Sequence, residues 1–189
     1  MGIENLRRLI TEATLIDNET WDVSYPLFRH KSFRKKEHFL RQGELCRHVG
    51  FICSGYTRLY YDWQHMEITK DFNTENSFCG SYASFISGNP SLFNVIAMEP
   101  LEVLLINREN LMYLTDKYMC WQKFLRIAME NLFISKESRE ALFLQANPEE
   151  RYADLLQQHP DWINRIPLKY LASYLGMTPE TISRIRGKK

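Results

Sequence analysis

The hydrophobic period changes near Asn107, and that change leaves few architectures open to the chain. Before it, over about residues 25–108, short apolar runs are broken by glycine, asparagine and proline. HVGFIC (48–53), TRLYYDW (57–63), HMEITKDF (65–72), FNVIAM (93–98) and LEVLLIN (101–107) read as strands. RQGE (41–44) reads as a turn, CSGY (53–56) as a hairpin and GNP (88–90) as a further turn. Short, evenly spaced strands with such punctuation indicate an antiparallel barrel or sandwich. A small helix is expected at Ser81–Ser87, ahead of the GNP turn.

After Asn107 the period is 3.6. A short helix is expected at 108–115 and a long one at 116–145. Tyr118, Trp121, Leu125, Ala128, Leu132 and Leu142 form one stripe of the long helix, and Phe124, Ile127, Asn131 and Ile134 a neighbouring one. About thirty residues span roughly 45 Å, more than a small domain needs. One stripe can pack on the barrel and the other on a second copy of the chain, so a dimer seam is expected there. Asn147-Pro148 ends this helix and starts PEERYADLLQQH (148–159), with proline in the first turn and two glutamates near the positive end of the helix dipole. HPDWINRIP (159–167) reads as a loop. At the other end of the chain, Ile3, Leu6, Leu9, Ile10 and Ala13 mark an amphipathic helix over 3–16. The expected division is a strand-rich domain with its N-terminal helix (1–115), a dimerisation helix (116–146) and a small helical segment (147–189).

Apolar residues are 44% of the chain and charged ones 25%, a soluble, core-forming profile. No apolar run is long enough to span a membrane, and the start, MGIENLRRLITEATLID, lacks the apolar block of a signal peptide. The expected location is the cytoplasm, with no membrane partner. Cys46, Cys53, Cys79 and Cys120 have neither CxxC nor zinc spacing and read as small core residues. His30, His38, His48, His65 and His159 show no i, i+4 pairing, so no metal or haem is expected.

The net charge of +1 conceals an asymmetry. Residues 165–189 hold six basic side chains (Arg165, Lys169, Arg184, Arg186, Lys188, Lys189) against Glu180 alone, a net +5. The first 164 residues hold 18 basic and 22 acidic ones, a net −4. A basic end on a mildly acidic chain suggests a polyanion contact, although a solvated tail has the same composition.

That end reads LKYLASYLGMTPETISRIR (168–186), which fits a helix-turn-helix. Ala172 is small where two helices cross, and Gly176 falls where the turn needs a positive φ. Thr178 suits the N-cap and Pro179 the first helical position, and Glu180 suits the dipole. Ile182 and Ile185 face back onto Leu171 and Leu175. Glu180, Thr181, Ser183, Arg184 and Arg186 are left to face outward, and such a helix places its N-terminal half in the major groove of DNA. Arginine can pair bidentately with guanine, and glutamate can accept from cytosine N4. Lys169, Lys188 and Lys189 suit phosphate contacts. An ordinary helical hairpin is the plainer reading, and the charge asymmetry weighs against it.

With these motifs in this order, nearly the whole chain resembles the Crp/Fnr family of bacterial transcription regulators. RQGELCRHVGFICSGYTRLYY looks like the family's opening barrel strands, with Gly43 and Gly55 at its turn glycines. ENSFCGSYASF looks like the segment holding its phosphate-binding turn. The helix at 116–145 is similar to its dimerisation helix, and TPETISRIR matches its recognition helix, where the recurring pattern falls on Glu180, Ser183 and Arg184. The resemblance implies an α+β fold: an antiparallel jelly-roll (double-stranded β-helix) barrel of the cyclic-nucleotide-binding type, a long dimerisation helix and a small all-α helix-turn-helix. It also implies double-stranded DNA, a second copy of the chain and RNA polymerase as partners, with base-contacting roles for those three residues.

Two departures qualify this. In nucleotide-binding members the phosphate turn reads Phe-Gly-Glu-Leu, the Glu holding the ribose hydroxyl, and a later Arg neutralises the phosphate. Here the turn is Cys79-Gly80-Ser81-Tyr82, and Ser91 or a neighbour stands where the Arg would be, with no arginine between Arg58 and Arg108. Burying a phosphate without a cation is costly, so no tight cyclic AMP binding and no cofactor are expected. An effector pocket is expected around Phe78, Gly80, Ser81, Tyr82, Ser91 and Phe93, and its ligand stays open, apolar or aromatic chemistry included. Secondly, most members continue into a β-hairpin wing, whereas this sequence ends at Lys189 and reads as a wingless variant. Dimerisation would compensate, because two linked contacts act as one stronger one. An alternative is a ligand-binding or protein-interaction module whose helix-turn-helix no longer binds DNA. No nucleophile–base pair, carboxylate dyad or phosphate-cradling glycine loop points to an enzyme.

Overall fold

The computed structural model describes residues 2–64 and 66–187, so His65, Lys188 and Lys189 lie outside the described residues. Two compact units, Met1–Met129 and Glu130–Lys189, divide within one long helix.

The first unit opens with α1 (Gly2–Thr14), α2 (Asn18–Ser24) and a 3-10 turn (Tyr25–Leu27). Its strands are β1 (Arg29–Phe33), β2 (His38–Leu40), β3 (His48–Ser54), β4 (Thr57–Trp63), β5 (Met66–Asn73) and β6 (Phe78–Cys79). After α3 (Tyr82–Ser87) come β7 (Asn94–Ala97), β8 (Leu101–Asn107), α4 (Arg108–Lys117) and the start of α5 (Met119–Gln145). The strands form two four-stranded antiparallel sheets, in the orders β1-β8-β3-β6 and β2-β7-β4-β5. This is the jelly-roll barrel of an α+β chain, with a long helix and further helices after it.

The five runs read as strands are β3, β4, β5, β7 and β8, joined by the short β1, β2 and β6 that the sequence did not mark, and CSGY is not a hairpin. β3 bonds to β8 and β6, while β4 bonds to β5 and β7. Gly55, at φ +83°, instead carries the chain from one sheet to the other. Alternation reports that a segment is extended and half-buried, and it is silent on which strand lies alongside.

Phe51, Ile52, Val95, Ala97, Leu101, Val103 and Ile106 form the buried centre, closed on the outside by Leu6 and Ile10 of α1. Trp121 and Phe124 of α5 join the same core. Burying each contributes roughly 2–3 kcal/mol and anchors the start of the helix. Trp121 stacks on Phe28 at 5.8 Å and donates its Nε1–H to Ser24 Oγ at 2.7 Å, and the Ser24 hydroxyl in turn donates to Thr20 O. The indole is therefore buried with its one donor satisfied.

Asn107 caps α4 by accepting the Asn110 N–H at 2.8 Å. The long helix begins at Met119, three residues after the expected start at 116. α4 runs on to Lys117, and Tyr118 adopts an extended conformation (φ −123°, ψ 118°) before Met119 restarts the helix. The side chains of Tyr113, Lys117 and Tyr118 cluster at this break. Cys46 and Cys79 are buried, Cys53 and Cys120 are partly so, and all four are free thiols.

Two barrel histidines make this unit sensitive to acid. Burial pushes the His38 pKa down, with Arg41 adding to it, and burial pushes His48 down, helped by Lys31, Arg29 and Arg47. The fold holds both rings neutral, whereas the unfolded chain protonates them near pH 6.5. Their contribution is complete above that value and is lost as pH falls through the lower folded values. The melting temperature should therefore be lower at pH 5 than at pH 7.5, and a His38→Gln, His48→Gln variant should show a smaller drop.

The second unit holds the rest of α5, α6 (Pro148–Gln158), α7 (Trp162–Arg165), α8 (Leu168–Leu175) and α9 (Pro179–Gly187). Asn147 caps α6 with a complete capping box: its side chain accepts the Glu150 N–H at 3.0 Å, and Glu150 accepts the Asn147 N–H at 2.8 Å. The stretch expected to be a loop, 159–167, contains α7. Trp162 supplies the reason: it is buried, stacks on His159 at 3.9 Å and meets Tyr174 edge-on at 5.6 Å. One buried aromatic in a four-residue helix leaves no period to read.

Candidate functional site

The basic end of the chain is built by two helices and the turn between them. α8 ends in a Schellman motif: Met177 N–H donates to Ala172 O at 3.0 Å and Gly176 N–H to Ser173 O at 3.2 Å, with Gly176 at φ +64°. Thr178 then accepts the Thr181 N–H at 3.3 Å and opens α9. Leu171, Ala172 and Leu175 of α8 are buried, as are Ile182 and Ile185 of α9 and Tyr152 and Leu155 of α6. Ala172 leaves room where α8 meets its neighbours, and Ile182 and Ile185 turn α9 inward along one edge.

That burial fixes the opposite face. Glu180, Ser183, Arg184 and Arg186 are exposed, Thr181 and Pro179 half-exposed, and Thr178 and Lys169 exposed nearby. Among the described residues Arg184 forms no ion pair. Arg186 differs, since its Nε donates to the Tyr152 hydroxyl at 2.8 Å and ties α9 to α6. The Glu180 carboxyl is held below the usual carboxylate range by its own backbone N–H and then by the Thr178 hydroxyl. It is ionised at neutral pH and folded back over the first turn of α9. Lys188 lies outside the described residues.

A clamp that the sequence did not suggest holds α8. The Arg139 guanidinium lies 3.8 Å from the centre of the Tyr174 ring, and its Nη2 donates to Tyr174 O at 2.9 Å. Phe143 lies beneath both Arg139 (4.8 Å) and Arg151 (5.1 Å). Cation–π contact and a charge-assisted bond to a carbonyl together are worth about 1–3 kcal/mol. Arg139→Ala should speed hydrogen exchange of the α8 and α9 amides about tenfold or more, leaving the barrel amides unchanged. An arginine inside an apolar stripe was the only available signal.

In the barrel, the six positions expected around an effector have different surroundings. Phe78 packs on Phe51 (5.4 Å) and Phe124 (6.1 Å), and Phe93 packs edge-on against Tyr61 (6.0 Å). Tyr82 lines a cavity of about 380 Å3 between α3, α4 and the start of α5. The polar groups of the turn are occupied within the protein. Ser81 is buried, its Oγ accepts the Ser84 N–H, and its own N–H donates to Cys46 Sγ at 3.3 Å. Ser91 is equally buried and donates to Phe93 O at 2.8 Å. Gly80, at φ +128°, lets the turn pass close to Cys46 and Phe39.

This barrel, with its glycine turn between β6 and α3, has known counterparts. Residues 30–118 match the cyclic nucleotide-binding domain family. The solved structures similar to the chain include the catabolite activator protein of Thermus thermophilus (19% identity, TM-score 0.61, 95% of this chain and 85% of that one). FixK2 of Bradyrhizobium japonicum is similar at 19% identity and TM-score 0.72, over 85% and 83% of the two chains. The c-di-GMP responsive global regulator CLP of Xanthomonas campestris is similar at 13% identity and TM-score 0.72, over 91% of each. No curated protein matches the sequence. At these identities the structural likeness establishes the fold of the cyclic nucleotide-binding domain and the helices after it. Among the described residues no helix is long and apolar enough to cross a membrane.

Proposed function

We propose that this protein is a homodimeric, DNA-binding transcription regulator of the Crp/Fnr type, not an enzyme, whose cyclic nucleotide-binding domain responds to something other than cyclic AMP. One observation carries the reading. α9 is anchored by Ile182 and Ile185 and presents Glu180, Ser183 and Arg184 on its open face, the arrangement a recognition helix needs in a major groove. The similarity to FixK2 and CLP, the latter described as a global regulator, supports it.

Dimerisation is supported by α5. Phe133 (63% exposed), Ile134 (59%) and Leu144 (78%) are large apolar side chains on a helix of 27 residues, and a second copy would cover them. The departure from cyclic AMP is supported by Ser81, whose hydroxyl and amide are both used internally, and by the absence of arginine from residues 59–107. In this mechanism an occupied barrel shifts the population of helix arrangements, which sets the separation of two recognition helices against roughly 34 Å of DNA.

The test combines sedimentation with gel shifts on genomic fragments. The wild type should sediment as a dimer and shift a minority of fragments. Leu132→Glu should sediment as a monomer and shift none specifically. A monomeric wild type, or no specific shift in any ligand state, would overturn the reading.

A further inference from the structure

A second hollow in the barrel, of about 440 Å3, shares no lining residue with the six positions discussed above. It opens between β1, β8 and β3 on one side and the β2–β3 connection on the other. Phe33, Phe39 and Leu105 supply an apolar floor, while Lys31, Arg47 and His48 stand on the rim. The register explains how the cations gather. Arg29 lies opposite Leu105 and Lys31 opposite Val103, and Leu105 is also opposite Gly50, two residues from His48. Arg29, Lys31, His48 and Leu105 therefore share one face of the sheet.

The charges here are unbalanced. Among the described residues none of Arg29, Lys31 and Arg47 has an ion-pair partner, and Lys31 Nζ rests 4.6 Å from the centre of the Phe33 ring. The acidic member of the lining, Glu44, accepts the Arg41 N–H at 3.0 Å within its own turn. The field of the three cations is felt at His48, whose pKa falls through burial and then through Lys31, Arg29 and Arg47. Like charges held around an apolar hollow are complementary to an anion that brings its own apolar body. The volume lies within the range of small-molecule pockets.

We propose that this hollow binds an amphipathic organic anion, its acidic head (carboxylate or phosphate) held by Lys31 and Arg47 and its apolar body laid on Phe33, Phe39 and Leu105. A solvated basic rim would hold inorganic phosphate as well as any larger anion, so the floor is what separates the two readings. The proposal rests on the regulator reading only for its consequence, that occupancy is the sensed signal. Binding is measured on the free protein without DNA, so either can fail alone.

The experiment is calorimetric titration of the full chain with four probes: 2-naphthoate, 1-naphthyl phosphate, uncharged 2-naphthol and inorganic phosphate. At least one naphthyl anion should bind one per chain, and which one does identifies the head. Naphthol and inorganic phosphate should each bind about tenfold more weakly or less. The double variant Lys31→Glu, Arg47→Glu changes two exposed side chains, so its melting temperature should stay at the wild-type value while anion affinity falls about tenfold or more. Leu105→Trp, which fills the floor, should abolish binding of the naphthyl anion and leave inorganic phosphate unchanged. No saturable binding of either naphthyl anion would overturn the proposal. So would equal affinity for naphthol or inorganic phosphate, or unchanged affinity in the double variant.

Discussion

Gly55→Ala is expected to destabilise the barrel by on the order of 3 kcal/mol, lowering its melting temperature by about 10 °C. Gly55 sits at φ +83°, where an alanine is strained whatever the space around it. Space is also lacking: a Cβ would lie 2.4 Å from Pro100 O and 3.2 Å from Leu101 Cα, both backbone atoms that no rotamer change can move. Relief requires shifting the β7–β8 connection, and with it β8, the central strand between β1 and β3. The Gly55 N–H, bonded to Glu75 Oε1 at 2.9 Å, would move as well. Gly43→Ala is the matched control. Gly43 has a similar φ of +88° but nothing within 4 Å of its Cβ, so only the backbone term of about 1 kcal/mol is expected. Melting curves of the two variants separate strain from collision. Equal shifts would show that the close approach to Pro100 is absent in solution.

Arg184→Ala is expected to lower affinity for the specific site roughly 10- to 100-fold per half-site and to leave affinity for random DNA nearly unchanged. Arg184 is exposed on the outer face of α9, without an ion-pair partner among the described residues, and its guanidinium can offer two parallel donors to a guanine edge. Lys169→Ala should do the opposite, weakening both DNAs by a small common factor and flattening the salt dependence, as loss of a phosphate contact does. Arg186→Ala belongs to a third class. Its bond to the Tyr152 hydroxyl makes it a brace between α9 and α6, so its loss should first appear as a lower melting temperature. Fluorescence anisotropy at fixed salt, with specific and scrambled duplexes, distinguishes the three. An Arg184→Ala loss of equal size on both duplexes would reduce its role to that of a basic patch.

What the sequence shows and what it hides follow from how local each signal is. Gly176, Thr178 and Pro179 act through bonds spanning a few residues, so the turn between α8 and α9 and the inward edge of Ile182 and Ile185 were legible. The positions of β3, β4, β5, β7 and β8 were legible for the same reason, whereas the short β1, β2 and β6 were not read. Pairing was not: β1 lies beside β8 through contacts such as Ser32 Oγ to Glu102 Oε2, 70 residues apart, and CSGY misled because a sheet-to-sheet turn and a hairpin share the same glycine. Lys31 and Arg47, 16 residues apart in the sequence, meet on one rim only through the fold. Phe78 and Phe93, expected around one pocket, pack on different neighbours.

The most direct test of the regulator reading is selection from a randomised duplex library by the purified protein, read by sequencing, with wild type and Arg184→Ala side by side. The expected result is a palindromic motif with half-sites about one helical turn, roughly 34 Å, apart, present for the wild type and lost in the variant. Salt-sensitive retention with no motif, equal in both proteins, would contradict it.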